Sequence, residues 1–266
     1  MAVEPLIEPV ASTAQFVERW LQPPNFRISP ELFQPDFEFP SALEVLDRLR
    51  KDDATKVTFL GDEEAATRTV RAMTFRRASL DEIAAWPFRL VHFELSRFYD
   101  DFLSGFQESV MIPWRVFLTE LGFTWQRCYP ILFMSTGGCS STYHVDNSHG
   151  LVWQVHGVKN FHSFLEPERY APVESAVLGR IAGESSPAHD EKDRLSLRMS
   201  PGDLVWSHAL TPHWVVADSP VTLSLNISHG GLARAGRFSE RDSALRRHWD
   251  DHPGQAWLSG LRNAHY

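Results

Sequence analysis

Cysteine is nearly absent: Cys128 and Cys139 are the only two in 266 residues. Two thiols cannot build a disulfide framework, and without a CxxC pair they form no zinc cluster, so they read as packed thiols. Positive charge is also scarce. With 26 Lys and Arg against 34 Asp and Glu the formal net charge is -8, which disfavours nucleic acid as a partner. Long apolar runs are missing: 129–134 falls far short of the roughly 20 residues that cross a bilayer. Glu4 and Glu8 stand where a signal peptide needs basic residues. No membrane partner is expected, and the chain reads as cytoplasmic. Neither a repeat period nor a low-complexity tract is visible, which excludes solenoids and propellers. Aromatic residues, by contrast, make up 12% of the chain, with nine Trp, a composition suited to a wide apolar interior.

The first third reads as helices alternating with short strands. Ser41 with Glu44, and Ser79 with Glu82, have capping-box spacing ahead of apolar residues and predict two helix starts. Strands are expected at 57–60 and 89–93. Leu95, Phe98, Tyr99, Phe102, Leu103 and Phe106 recur at helical spacing and read first as core. Trp114, Phe117, Leu118 and Leu121 continue the pattern until Gly122, a candidate C-cap. From about Arg127 the pattern changes to short strands with turn residues between them, at 129–135, 151–155, 160–165, 195–199, 204–206, 213–216 and 222–227. Pro201-Gly202-Asp203 is a tight turn, and 183–193 reads as a solvated loop. This half predicts an antiparallel sandwich or barrel. After Gly231 a helical tail returns, with Ser239 as N-cap and Leu245, Trp249, Trp257, Leu258 and Leu261 as apolar contacts. It covers the barrel or forms a homodimer contact.

With twelve histidines, only spacing can select among them. His144-Val145-Asp146 places two ligand-type side chains at i and i+2, on one side of a strand. Asp203, in its turn, precedes a strand ending near Thr211-Pro212-His213-Trp214, which brings a second histidine back to the sheet. Two His and one carboxylate on neighbouring strands make the facial triad that binds non-haem Fe(II) with positions left open. His208 competes with His213, but it lies where the chain leaves a strand, and a ligand on regular sheet is held more rigidly. Lys159 sits on or beside an otherwise apolar strand. Either it faces solvent from an edge, or its ammonium pairs with one end of a bound dicarboxylate whose other end chelates the metal.

The string Ser141-Thr142-Tyr143-His144-Val145-Asp146, then Gln154-x-x-Gly157-x-Lys159, Pro201-Gly202-Asp203, His213 and Ser224-Leu225-Asn226 resembles the JmjC and cupin-like Fe(II)/2-oxoglutarate oxygenases. That group contains the asparaginyl hydroxylase acting on hypoxia-inducible factor. The resemblance covers about residues 127–228. It implies a mainly β fold with flanking helices, built on a double-stranded β-helix (jelly-roll) core. It further implies Fe(II) on His144, Asp146 and His213. The lysine fifteen positions after the first ligand, here Lys159, takes the distal carboxylate of 2-oxoglutarate, with Ser141 and Asn226 lining the same pocket. The distal histidine follows the Gly-Asp turn by about ten positions, which again favours His213 and leaves His208 beside the site or in its pocket. O2 is the second co-substrate, and succinate and CO2 are released as the substrate is hydroxylated. Desaturation, ring closure and demethylation use the same chemistry, and the Asp ligand argues against halogenation. The chain departs from the family at 207–210, where the usual Pro-x-x-Trp-Trp is replaced, which bears on pocket shape.

The expected organisation is a support region over 1–126, a catalytic β-helix core over 127–232 and a helical tail over 233–266, within one compact domain. Arg127, Arg198 and Arg234 are candidate anchors for an acidic substrate. Trp153, Tyr143, Trp206 and Trp214 read first as core. Of His149, His156 and His162, His149 is expected to face the site. A small-molecule substrate is expected over a protein, because no peptide-reading appendage or basic groove is recognisable. The alternatives are a protein or peptide side-chain hydroxylase of the JmjC type, and a metal-binding cupin without 2-oxoglutarate chemistry. Lys159 and Asn226 discriminate against the latter.

Overall fold

The computed structural model describes residues 9–60, 65–139, 141–183 and 186–255; Glu4, Glu8, Trp257, Leu258 and Leu261 lie outside these. Val221–Gly230 alternates apolar and polar residues, whereas Arg127–Thr136 and His149–His156 carry the apolar runs 129–134 and 151–153; together the three form the centre of a seven-stranded antiparallel sheet. Its order is Phe26–Ile28, Leu204–Ser207, His149–His156, Val221–Gly230, Arg127–Thr136, Phe88–His92, Lys56–Phe59. A second antiparallel sheet places Lys159–Phe164 between Arg194–Met199 and Trp214–Ala217. The strands expected beyond Arg127 are all present.

Strand parity divides the large sheet into two faces. Leu132, Leu151, Trp153, Trp206, Leu223 and Leu225 turn to one side and join one apolar cluster with residues of the helices Thr13–Trp20, Ala42–Lys51 and Ile112–Glu120. Rings meet edge-on there, Phe16 against Trp206 at 5.3 Å and Trp20 against Phe123 at 4.8 Å, as ring quadrupoles favour. Trp153, Trp206 and the 98–106 stripe are thus core, although the stripe is not one helix. A 3-10 turn at Leu95–Phe98 gives way to turns before a π-type turn, Gln107–Met111, leads into Ile112–Glu120. The opposite face carries Tyr129, Ile131, Phe133, Asn226 and Ser228 towards the small sheet, whose Phe161, Leu197 and Met199 cluster with Val205. A cavity of about 490 Å³ lies between the sheets.

Local signals behave as their chemistry requires. Ser41 and Ser79 close capping boxes with Glu44 and Glu82, and Ser12 does the same with Gln15. Ser239 caps Glu240–Asp251. Gly157 has φ +69°, and a Cβ there would stand 2.6 Å from the Val221 carbonyl oxygen, so the turn into the Lys159 strand requires glycine. Cys128 and Cys139 are buried free thiols, and burial pushes the Cys128 thiol up to about 11. Among the described residues no helix is long and apolar enough to cross a membrane.

Candidate active site

His144 closes the two-residue strand Tyr143–His144, and Asp146 follows just beyond it. The expectation of an HxD motif lying on a strand needs this correction: Asp146-Asn147-Ser148 is turn chemistry that ends the pairing. His213 stands immediately before Trp214–Ala217 and forms a bridge with His144. Their backbones bond reciprocally, His144 N–H to the His213 carbonyl at 3.1 Å and His213 N–H to the His144 carbonyl at 2.9 Å. The structure thereby brings the three predicted ligands together. Asp146 Oδ1 lies 3.8 Å from His144 Nε2 and Oδ2 lies 3.6 Å from His213 Nε2. One ligand atom of each falls within 4.8 Å of the others.

The Nδ1 atoms face away from this centre. His144 Nδ1 is 2.6 Å from the Thr142 carbonyl and His213 Nδ1 is 3.0 Å from the Thr211 carbonyl. A carbonyl only accepts, so each imidazole carries its proton on Nδ1 and presents an Nε2 lone pair. Phe161 stacks on His213 with centroids 5.3 Å apart. Burial, reinforced by His144 nearby, holds the His213 imidazole well below its ordinary pKa, so it stays neutral, as a metal ligand must be. The centre opens outward: the side chains of His144 and Asp146 are 31% and 44% exposed, that of His213 8%.

The same cavity holds the other predicted residues. Lys159 lines it and is buried, with no ion pair or hydrogen bond to its ammonium among the described residues. Desolvation alone lowers its pKa to about 7. Ser141 Oγ accepts the Val215 N–H at 2.9 Å, which leaves its own proton to donate into the cavity. Asn226 lines the wall with a buried Oδ1 that has no hydrogen-bond partner among the described residues.

Other expectations are corrected. His149 shares its strand face with Leu151 and Trp153, so it turns away from the cavity and packs on Trp206, centroids 5.4 Å apart. His208 is not in the pocket: it is 1% exposed, its N–H donates to Asn25 Oδ1 at 2.8 Å, and its ring meets Phe26. Arg198 pairs with Asp218, Arg234 donates to the Leu121 carbonyl, and Arg127 lies over the Tyr129 ring; none of the three lines the cavity. The 183–193 segment is more than a solvated loop. Ala182–Gly183 pairs with Tyr143–His144, and the Asp193 carboxylate accepts from Arg169 and Tyr170. Residues that sequence reasoning did not assign to the wall include Arg89, Phe93, Phe133 and Phe161. Period-2 alternation was the available signal for Phe133 and Phe161. For Arg89 and Phe93 there was none, since only the pairing of Phe88–His92 with Arg127–Thr136 brings them there.

No family model matches the chain. A curated protein of Rattus norvegicus, HSPB1-associated protein 1, is 26% identical over 217 residues, 68% of this chain and 45% of that protein. The Escherichia coli ribosomal oxygenase YcfD superposes with TM-score 0.54 at 14% identity over 95% of this chain and 60% of YcfD. A structure of YcfD in complex with cobalt and 2-oxoglutarate gives a TM-score of 0.52 at 13% identity over 93% and 58%. The chain spans about half the length of the curated relative and three-fifths of YcfD. At these identities the likeness concerns the fold: the chain has the architecture of YcfD, a ribosomal oxygenase.

Proposed function

We propose that the chain is a non-haem Fe(II)- and 2-oxoglutarate-dependent oxygenase that hydroxylates a side chain of a protein substrate. The observation that carries the oxygenase reading is that one cavity holds both the three clustered N/O donors and the unpartnered Lys159 ammonium. Two imidazoles and a carboxylate suit a ferrous ion and leave positions open. A cupin that binds metal alone has no use for a buried cation at an uncompensated desolvation cost.

Iron on His144, Asp146 and His213 would supply, with 2-oxoglutarate and O2, the oxidative decarboxylation that drives hydroxylation of a C–H bond. The remaining work belongs to the protein. Lys159 pairs with the distal carboxylate in a site of low dielectric, where a charge-assisted bond is strong. Ser141 donates its hydroxyl proton to the same group, and the Asn226 amide supplies a further polar contact. Ile131, Phe133, Phe161 and Val215 keep water away from the reacting centre.

The outward exposure of His144 and Asp146 supports a protein substrate, because a side chain projecting from a macromolecule can reach them without entering the sheet interior. YcfD, described as a ribosomal oxygenase, sets a precedent for such a substrate on this fold. This replaces the small molecule expected from sequence. The test is succinate release from the Fe(II)-loaded chain with protein and low-molecular-weight cell fractions, followed by mass spectrometry. A 2-oxoglutarate-dependent gain of one oxygen atom on a peptide supports the reading. Stimulation by the small-molecule fraction alone returns the substrate to that class, and absence of any 2-oxoglutarate-dependent turnover removes the oxygenase assignment.

Gly150 offers a sharper probe of the co-substrate wall. A Cβ there would stand 2.6 Å from Asn226 Oδ1 and 3.2 Å from Asn226 Cγ, so Gly150→Ala must displace that amide. The expected result is weaker 2-oxoglutarate binding by about 1 kcal/mol, the worth of one hydrogen bond, with metal affinity unchanged. Calorimetry on Mn(II)-loaded protein measures both, and wild-type 2-oxoglutarate affinity would take Asn226 out of the pocket assignment.

A further inference from the structure

The helix Glu240–Asp251 contributes nothing to the cavity wall, yet Arg241 and Asp242 in its first turn are each 4% exposed. Charges so buried are costly unless paired and hydrogen-bonded, and both are held against the segment leading into His213. Arg241 Nη1 donates to the Leu210 carbonyl at 2.5 Å, and its Nη2 pairs with Glu168. The Asp242 carboxylate accepts from Ser239 Oγ at 2.5 Å and from His149 Nε2 at 2.7 Å. With its proton directed to a carboxylate, His149 leaves Nδ1 as an acceptor, and the Ala209 N–H donates to it at 3.3 Å. Leu210, between these attachments, has φ +55°. That left-handed conformation is unfavourable for a residue with a Cβ and persists only where its surroundings over-determine it. From this position the Leu210 N–H donates to the Asp146 carbonyl at 2.7 Å, and the next carbonyl, of Thr211, orients His213 through Nδ1 at 3.0 Å.

We infer that Arg241 is a positioning residue for the candidate metal centre: by fixing the left-handed turn at Leu210 it sets the backbone of Asp146 and the ring of His213 together. The inference rests on the reading that Asp146 and His213 hold a divalent ion. The C-terminal helix acts through backbone groups of 209–211, which lie between it and the ligands.

The experiment is Co(II) titration of the full chain, read by calorimetry and by the visible d–d absorption of the bound ion. Arg241→Met keeps the packing of the stem and removes the donor. It is expected to weaken Co(II) binding about 10–100-fold, as loss of outer partners of metal ligands does, and to change the shape of the absorption band. Arg241→Lys keeps a charge for Glu168 but not the planar fork, and should fall between. Glu168→Gln removes the ion pair while leaving the bond to Leu210, and should bind Co(II) as the wild type does, which separates positioning from a general loss of stability. Wild-type affinity and spectrum in Arg241→Met, in a chain that loses Co(II) on Asp146→Ala, would overturn the positioning role and leave the metal reading standing. Failure of the wild-type chain to bind Co(II) removes both. If Arg241→Met does not fold, Arg241→Lys decides, and wild-type affinity in that variant overturns the role.

Discussion

Lys159→Met is expected to raise the melting temperature of the metal-free protein and, in the same variant, to abolish measurable 2-oxoglutarate binding. Both effects come from one ammonium. Burial lowers its pKa from 10.5 to about 7, whereas the unfolded chain keeps that proton to near the ordinary value. Between about pH 7 and 10 the unfolded state therefore binds more protons than the folded one, and stability rises with pH across that window. Below about pH 7 the buried charge is present and its cost is complete. At about 1.4 kcal/mol per unit the shift caps the cost at roughly 5 kcal/mol, and a gain of about 2–4 kcal/mol on removal is the expected scale. Methionine, unbranched and adaptable, fills the space left by the lysine stem. Scanning calorimetry from pH 6 to 9 should show the advantage of the variant shrinking as pH rises. Binding of the dicarboxylate to wild-type protein takes up a proton above about pH 7, so its affinity should fall about tenfold per pH unit there. A variant that is less stable and binds 2-oxoglutarate normally would mark Lys159 as a packing residue, with the co-substrate held elsewhere.

Asp146→Ala and His213→Ala should each lose at least about 100-fold in metal affinity, beyond the usual outer-partner effect, and with it all turnover, whereas His208→Ala should keep the metal. His208 lies in the helix-side core beside Phe26 and His149, so its truncation leaves a void costing about 1–3 kcal/mol of stability. Metal content after gel filtration, together with the unfolding midpoint, separates the two outcomes. The reverse pattern, with metal lost in His208→Ala and retained in His213→Ala, would overturn the ligand set.

Which parts were legible follows from the range of the forces involved. Capping boxes at Ser41 and Ser79, the Pro201-Gly202-Asp203 turn and the period-2 strands are local, and the chain adopts them where spacing predicts. The grouping of His144, Asp146 and His213 was legible because two short strands need only pair for their ends to meet. The facing of His149 was available from parity with Leu151 and Trp153, and reading it beside the HxD motif obscured that. Helix Ala65–Arg77 carried too weak a signal: Thr67, Thr69, Val70 and Thr74 are poor helix formers, and Phe75 is its buried anchor. Contacts such as Arg241 with Leu210, or Arg89 on the cavity wall, depend on pairings distant in sequence, which no local pattern encodes.

The reciprocal amide bonds between His144 and His213 bear on which ion the proposed centre would carry. Because backbone holds the two imidazoles side by side, little conformational entropy remains to be lost when a cation arrives, and the chain need not wait for one to fold. Metal should therefore exchange by simple dialysis, without denaturation. A seat fixed in this way also exerts little choice among ions of similar size. Affinity for such N/O donors rises from iron towards copper along the divalent series, so occupancy in a cell would follow the supply of each ion, and an excess of nickel or zinc would silence the centre while leaving the fold intact.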